Sequence, residues 1–144
     1  MSQETYILML EDDQDDRSMT SAVVEELQIP VPVRFLTRSS LLFETLAESE
    51  PMLIVLDYNL NPETGLDILR KLKADANYRH IPVVLLGETD DPHFVAQCYQ
   101  HGASTYARKP GTFEGTRKKI GLFFQYWLSV AGTSRQANET SIHS

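Results

Sequence analysis

The chain has 144 residues, 42% of them hydrophobic, a formal net charge of −7 and one cysteine. That length and apolar share suit one compact domain with its own core, needing no disulfide or metal staple. The negative charge opposes attraction to nucleic acid or an anionic membrane, Cys98 has no disulfide partner, and no apolar run is long enough for a signal peptide or a bilayer span; a cytoplasmic protein is expected, with neither nucleic acid nor membrane as partner.

The first apolar run, Tyr6-Ile7-Leu8-Met9-Leu10, predicts a strand that runs into Glu11-Asp12-Asp13. Met19, Ala22, Val23 and Leu27 then share one face of a helix. A second strand is expected over 31–36. A third covers Met52-Leu53-Ile54-Val55-Leu56, closed by Asp57 and bounded by Pro51 and by Asn59-Leu60-Asn61-Pro62. Gly65 with Leu66, Ile68, Leu69 and Leu72 marks the following helix. A fourth strand at 82–86 leads to a helix with Phe94, Val95 and Cys98 on one face, which makes Cys98 a core residue, and His101-Gly102 is a glycine stop. Ser104-Thr105-Tyr106-Ala107 is the fifth strand and runs into Arg108-Lys109-Pro110. In the last helix, over 112–130, Phe113, Ile120, Phe123, Phe124 and Trp127 fall on the face expected to dock on the sheet. Leu122 and Tyr126 project oppositely, as an apolar patch for a homodimer. From Gly132 the chain is polar and aperiodic. Residues 1–130 are therefore read as the domain with an extended last helix, and 131–144 as a flexible tail.

Five alternating strand and helix segments predict an α/β fold, a parallel sheet with helices on both faces. The central runs are continuously apolar, as strands buried on both faces require. Ligands of such a sheet collect outside the carboxyl ends of its strands, where Asp12, Asp13, Asp57 and Lys109 all fall. Clustered carboxylates repel one another unless a divalent cation sits among them, and an all-oxygen donor set without histidine or cysteine favours Mg2+. Taken singly, Asp12 and Asp13, with Asp15 and Asp16, cap a helix, Asp57 is a turn acid and Lys109 a solvated lysine. Their joint placement at the ends of the first, third and fifth strands favours a site. His80, His93, His101 and His143 have no metal-ligand spacing.

These features together resemble the response-regulator receiver domain: Asp12-Asp13 after the first strand, Asp57 ending the third, Gly65 opening the third helix, Ile81-Pro82-Val83-Val84 in the fourth strand, Gly102-Ala103 before the fifth and Lys109-Pro110 after it. The resemblance spans 5–130. It implies a doubly wound, flavodoxin-like sheet of five strands in the order 2-1-3-4-5. It also implies that Asp57 takes a phosphoryl group from a phosphohistidine on a sensor histidine kinase or a phosphotransfer protein. Mg2+ would be bound by Asp13, Asp57, the backbone carbonyl of Asn59 and, through water, Asp12, while Lys109 supplies a point charge for a phosphoryl oxygen. Such a single-domain regulator is a phosphoacceptor rather than an enzyme on other substrates. It assists its own phosphorylation and slow dephosphorylation, with Asn59 and Thr89 lining the water path. The ending Phe123-Phe124-Gln125-Tyr126-Trp127-Leu128 resembles, more weakly, regulators paired with phytochrome-type kinases.

The chain departs from the family pattern after the fourth strand. Where the family usually places Ser or Thr this chain has Gly87, and Glu88 replaces the small residue after it. Two readings stand: a permissive substitution, with the Gly87 N–H or the Thr89 hydroxyl meeting the phosphate, or a receiver that works by phosphorylation-independent binding. Tyr106 takes the place of the family's mobile aromatic, and beside Gly87 its ring is expected to move more freely, weakening two-state coupling. The Lys109-Pro110 bond is read equally as a cis peptide aiming the lysine inward or an ordinary trans bond. A phosphohydrolase acting on exogenous substrate lacks a recognisable base or lid among these residues.

Overall fold

A computed structural model describes residues 5–109 and 112–126. The Lys109-Pro110 bond, Trp127 and the tail at 131–144 lie outside them. Elements alternate in chain order: β1 (Ile7–Leu10), α1 (Gln14–Glu26), β2 (Val33–Leu36), α2 (Leu42–Glu48), β3 (Leu53–Asp57), α3 (Gly65–Ala74), β4 (Val83–Gly87), α4 (Pro92–Gln100), β5 (Thr105–Arg108) and α5 (Phe113–Gln125). The sheet is wholly parallel, in the order β2-β1-β3-β4-β5. That is the doubly wound order expected from the sequence.

The described residues fall into two compact units. The first, running to Arg17 and then over Val31–Lys109, holds the whole sheet, α2, α3, α4 and the first turn of α1. Its core gathers Leu8, Leu10, Ile54, Leu56, Val83 and Leu85 from the strands with Leu46, Ile68, Leu69, Leu72 and Cys98 from the helices. Alternate strand residues Ile7, Met9, Leu53, Val55 and Val84 are buried too, so both faces of β1, β3 and β4 are withdrawn from water. Cys98 is a core residue, as its helical spacing predicts.

Three strands run one residue further than the apolar stretches suggest. The ladder pairs backbone groups regardless of side chain, and it continues through Asp57↔Leu86 and Gly87↔Arg108, drawing polar residues to the strand ends. A capping box starts α3: the Thr64 hydroxyl accepts from Asp67 N at 3.2 Å and the Asp67 carboxylate from Thr64 N at 3.1 Å. Such a cap contributes about 1 kcal/mol and fixes where the helix begins behind Asp57. Gly102, at φ 106°, ends α4 in the left-handed region where glycine is unstrained.

The second unit comprises Ser18–Pro30, most of α1, and the described residues from Thr112 onward. The buried Thr116 hydroxyl lies 3.0 Å from Met19 Sδ, and Arg117 Nε donates to Glu26 Oε1 at 3.0 Å. Two expected faces need correction. Ala22 is exposed and Thr20 is buried in its place, beside Val23. Phe113, the first residue of α5 after the Thr112 cap, is 43% exposed. Leu122 and Tyr126 are exposed, 60% and 50%, as their opposite projection predicts.

Candidate functional site

Parallel register builds the site. β1 and β3 pair Leu10↔Leu56, so the next residue on each, Glu11 and Asp57, stand side by side at the carboxyl ends. β4 lies on the other side of β3, and β5 beyond it delivers Lys109, whose N–H is held by Gly87 O at 2.7 Å. Glu11 and Asp57 are almost fully buried, at 0% and 2% exposure.

The Lys109 ammonium sits among three carboxylates: Asp16 Oδ2 at 2.6 Å, Glu11 Oε1 at 2.8 Å and Asp57 Oδ2 at 2.9 Å. The second Asp57 oxygen, Oδ1, accepts from Asn59 N at 3.1 Å. Gly65 closes the floor. A Cβ there would lie 2.6 Å from Asp57 O and 2.8 Å from Leu85 Cδ1, so only glycine lets α3 start this close to the strand end.

The charges are strongly perturbed. Burial, the hydrogen bond to Asp57 and the Asp57 charge raise Glu11 to about 7 against the pull of Lys109. Burial also pushes Asp57 upward, yet hydrogen bonds from Glu11, Lys109 and Asn59 N–H outweigh it, and Asp57 ends below the ordinary carboxylate value. Burial alone would lower Lys109; its contacts with Asp16, Glu11 and Asp57 raise it instead. Near neutrality these groups are thus an ionised Asp57 and a charged Lys109 beside a partly protonated Glu11.

Carboxylate oxygens of Glu11, Asp12 and Asp57 lie within 4.8 Å of one another. This all-oxygen set, held together despite mutual repulsion, fits a hard divalent cation. The cluster corrects the sequence reading in one place. Asp13 is not part of it: its Oδ1 accepts from Asp16 N at 2.9 Å, capping α1, so the capping role holds for Asp13 while Glu11 takes the expected place beside Asp12. Asp16, a helix acid by sequence, also reaches Lys109.

A second group lies at the β4 end. The Tyr106 ring fills the space a side chain at Gly87 would need. A Cβ on Gly87 would clash with the Tyr106 phenol oxygen and lie 2.9 and 3.0 Å from ring carbons Cε2 and Cζ. The Tyr106 hydroxyl donates to Thr89 O at 2.5 Å, and its ring meets Phe94 edge-on at 5.7 Å, which in turn meets Tyr58 at 4.8 Å. The Thr89 hydroxyl is turned to Asp91 N at 3.0 Å, at the start of α4. Glu88 is exposed. Pro110 lies outside the described residues.

A family model for the response regulator receiver domain matches residues 7–120. The chain belongs to that family. Response regulator receiver domains are the receiving modules of two-component signalling. Among curated proteins the chain is 27% identical over 107 residues to the two-component response regulator ORR7 of Oryza sativa subsp. japonica, over 73% of this chain; the chain spans about half (50%) of that relative's length. Among solved structures, the phosphorylated cyanobacterial phytochrome response regulator RcpA superposes with a TM-score of 0.81 at 22% identity, over 91% of this chain and 99% of that one. The Mn2+-bound form of the response regulator Rcp1 gives 0.80 at 23% identity, over 90% and 98%. These two likenesses show the same receiver fold. No helix among the described residues is long and apolar enough to cross a membrane.

Proposed function

We propose that this receiver domain is a phosphoacceptor: Asp57 takes a phosphoryl group from a phosphohistidine of a sensor histidine kinase or a phosphotransfer protein. One observation carries the reading. A buried carboxylate, lowered in pKa and so ionised at neutral pH, has a charged lysine at 2.9 Å and two further acids within reach of one cation. In the transfer a carboxylate oxygen of Asp57 attacks phosphorus, the P–N bond breaks, and its electron pair returns to the imidazole of the donor. Glu11, Asp12 and Asp57 would hold Mg2+, which when bound neutralises charge on the phosphoryl oxygens. Lys109 offers a proton donor and a positive charge to one of those oxygens. Asn59 N–H fixes the rotation of the Asp57 carboxylate, leaving the other oxygen toward the lysine. The domain does no chemistry on other substrates, but supports its own phosphorylation and slow hydrolysis.

The test is to incubate the protein with acetyl phosphate or phosphoramidate and Mg2+ and weigh it intact. One added phosphoryl group, released by hydroxylamine and mapped by borohydride reduction of the acyl phosphate at Asp57 to homoserine, is expected. No uptake from either donor or from a phosphohistidine protein, or uptake elsewhere, overturns the reading. A phosphorylation-independent interaction module is the second reading, favoured by the packing of the Tyr106 ring into the space a side chain at Gly87 would need. The proposal extends to a homodimer through Leu122 and Tyr126. Wild type is expected to sediment as a dimer and the Leu122→Glu, Tyr126→Glu double variant as a monomer; a monomeric wild type removes that part.

A further inference from the structure

We propose that Asp16 is a positioning residue that competes with an incoming anion for Lys109 and so limits how tightly the site holds a phosphoryl group. The inference rests on the phosphoacceptor reading. Lys109 donates a hydrogen bond to Asp57 Oδ2 at 2.9 Å, and its ammonium also lies 2.6 Å from Asp16 Oδ2 and 2.8 Å from Glu11 Oε1 as ion pairs. An anion arriving beside Asp57 meets an ammonium already shared among three carboxylates and must draw it away from at least one of them.

The three partners are unequal. The Glu11 and Asp57 side chains are 0% and 3% exposed and both belong to the acid group that fits a cation; the Asp16 side chain is 35% exposed and lies outside that group. Releasing Asp16 returns a partly exposed carboxylate to water, whereas Glu11 and Asp57 stay enclosed within the acid group that would hold the cation. Asp16 is therefore the partner that yields. It is also held ready to return, because its N–H is fixed to the Asp13 cap at 2.9 Å and the contact is made within the first turn of α1. Every anion bound at Lys109 displaces this ion pair, and every anion that leaves is replaced by it.

Asp15 in the same turn is the control, since it is exposed and makes no part of the Lys109 cluster. Beryllofluoride is titrated by calorimetry into wild type, Asp16→Asn and Asp15→Asn at saturating Mg2+, and Mg2+ alone is titrated in parallel. Asp16→Asn is expected to bind beryllofluoride about three- to tenfold more tightly, as loss of a partly exposed competing ion pair allows. Mg2+ affinity and the Asp15→Asn variant should change less than about twofold. Equal or weaker beryllofluoride binding by Asp16→Asn, or an equal gain in Asp15→Asn, overturns the inference. Wild type that binds no beryllofluoride at all overturns the phosphoacceptor reading itself and the inference with it, a distinct result.

Discussion

Lys109→Ala lowers the stability of the cation-free protein by about 3 kcal/mol at neutral pH, and millimolar Mg2+ restores most of the loss. The substitution removes the one positive charge from among Asp16, Glu11 and Asp57, two of them buried. Breaking a buried, hydrogen-bonded charge pair from one side costs roughly 3–5 kcal/mol, because the partner is left charged and unsolvated. The lower end applies here, since the Lys109 side chain is still 17% exposed and Asp16 turns to water. For a domain of this size the loss corresponds to a melting temperature about 10 °C lower. Thermal melts of both proteins, with Mg2+ and with chelator, make the comparison. An unchanged midpoint shows the cluster carries no net strain. A loss that Mg2+ fails to reduce shows that Glu11, Asp12 and Asp57 do not gather a cation.

The wild type measured across pH without cation reports the same cluster. Glu11 has a folded pKa of about 7, above its unfolded value of 4.5. Its contribution is therefore fully present below the unfolded value and is lost as pH rises through about 7, on the order of a few kcal/mol. Asp57 runs the other way. Its folded value is depressed, so its contribution is present above the ordinary carboxylate range and is lost only as pH falls through the lowered value. Cation-free stability should thus peak near pH 5 and decline toward pH 8.

Strand ends are legible to within a residue because apolar runs stop close to where charge begins, and the runs closing on Asp57 and before Lys109 mark two side chains that lie 2.9 Å apart. What hydropathy does not encode is register. Glu11, Asp12 and Asp13 are three acids in a row, and only the pairing of Leu10 with Leu56 shows that Glu11, not Asp13, stands beside Asp57. Counting back from Asp57 to Leu56 and matching it to Leu10 supplies that signal. Asp16 had none: it shares the first turn of α1 with Asp15, and the rotation set by the Asp13 cap decides which of them reaches Lys109. The neighbour of Gly87 is likewise not legible in the sequence, because close packing fills the space of a missing side chain with a large residue from another strand, here the ring of Tyr106.

Gly87→Thr, which installs the residue type usual for the family, is expected to destabilise this chain by about 2–3 kcal/mol, the cost of overpacking a filled interior position. The new Cβ would lie 2.9 and 3.0 Å from Tyr106 Cε2 and Cζ and still closer to the phenol oxygen. β4 cannot give way, since Gly87 O holds Lys109 N at 2.7 Å and the strand pairs on both sides. The ring must therefore leave, breaking its 2.5 Å hydrogen bond to Thr89 O and its edge-on contact with Phe94. Adding Tyr106→Ala to Gly87→Thr should then cost far less than Tyr106→Ala alone, because the ring has already lost its place. Denaturant titrations of the four proteins give the coupling directly, expected at more than about 1 kcal/mol. Additive losses, or a Gly87→Thr protein as stable as wild type, refute the packing account. A strong coupling means that the Tyr106 ring, seated against Gly87 and bonded to Thr89 O, ties the loop before α4 to β5 by its fit to glycine.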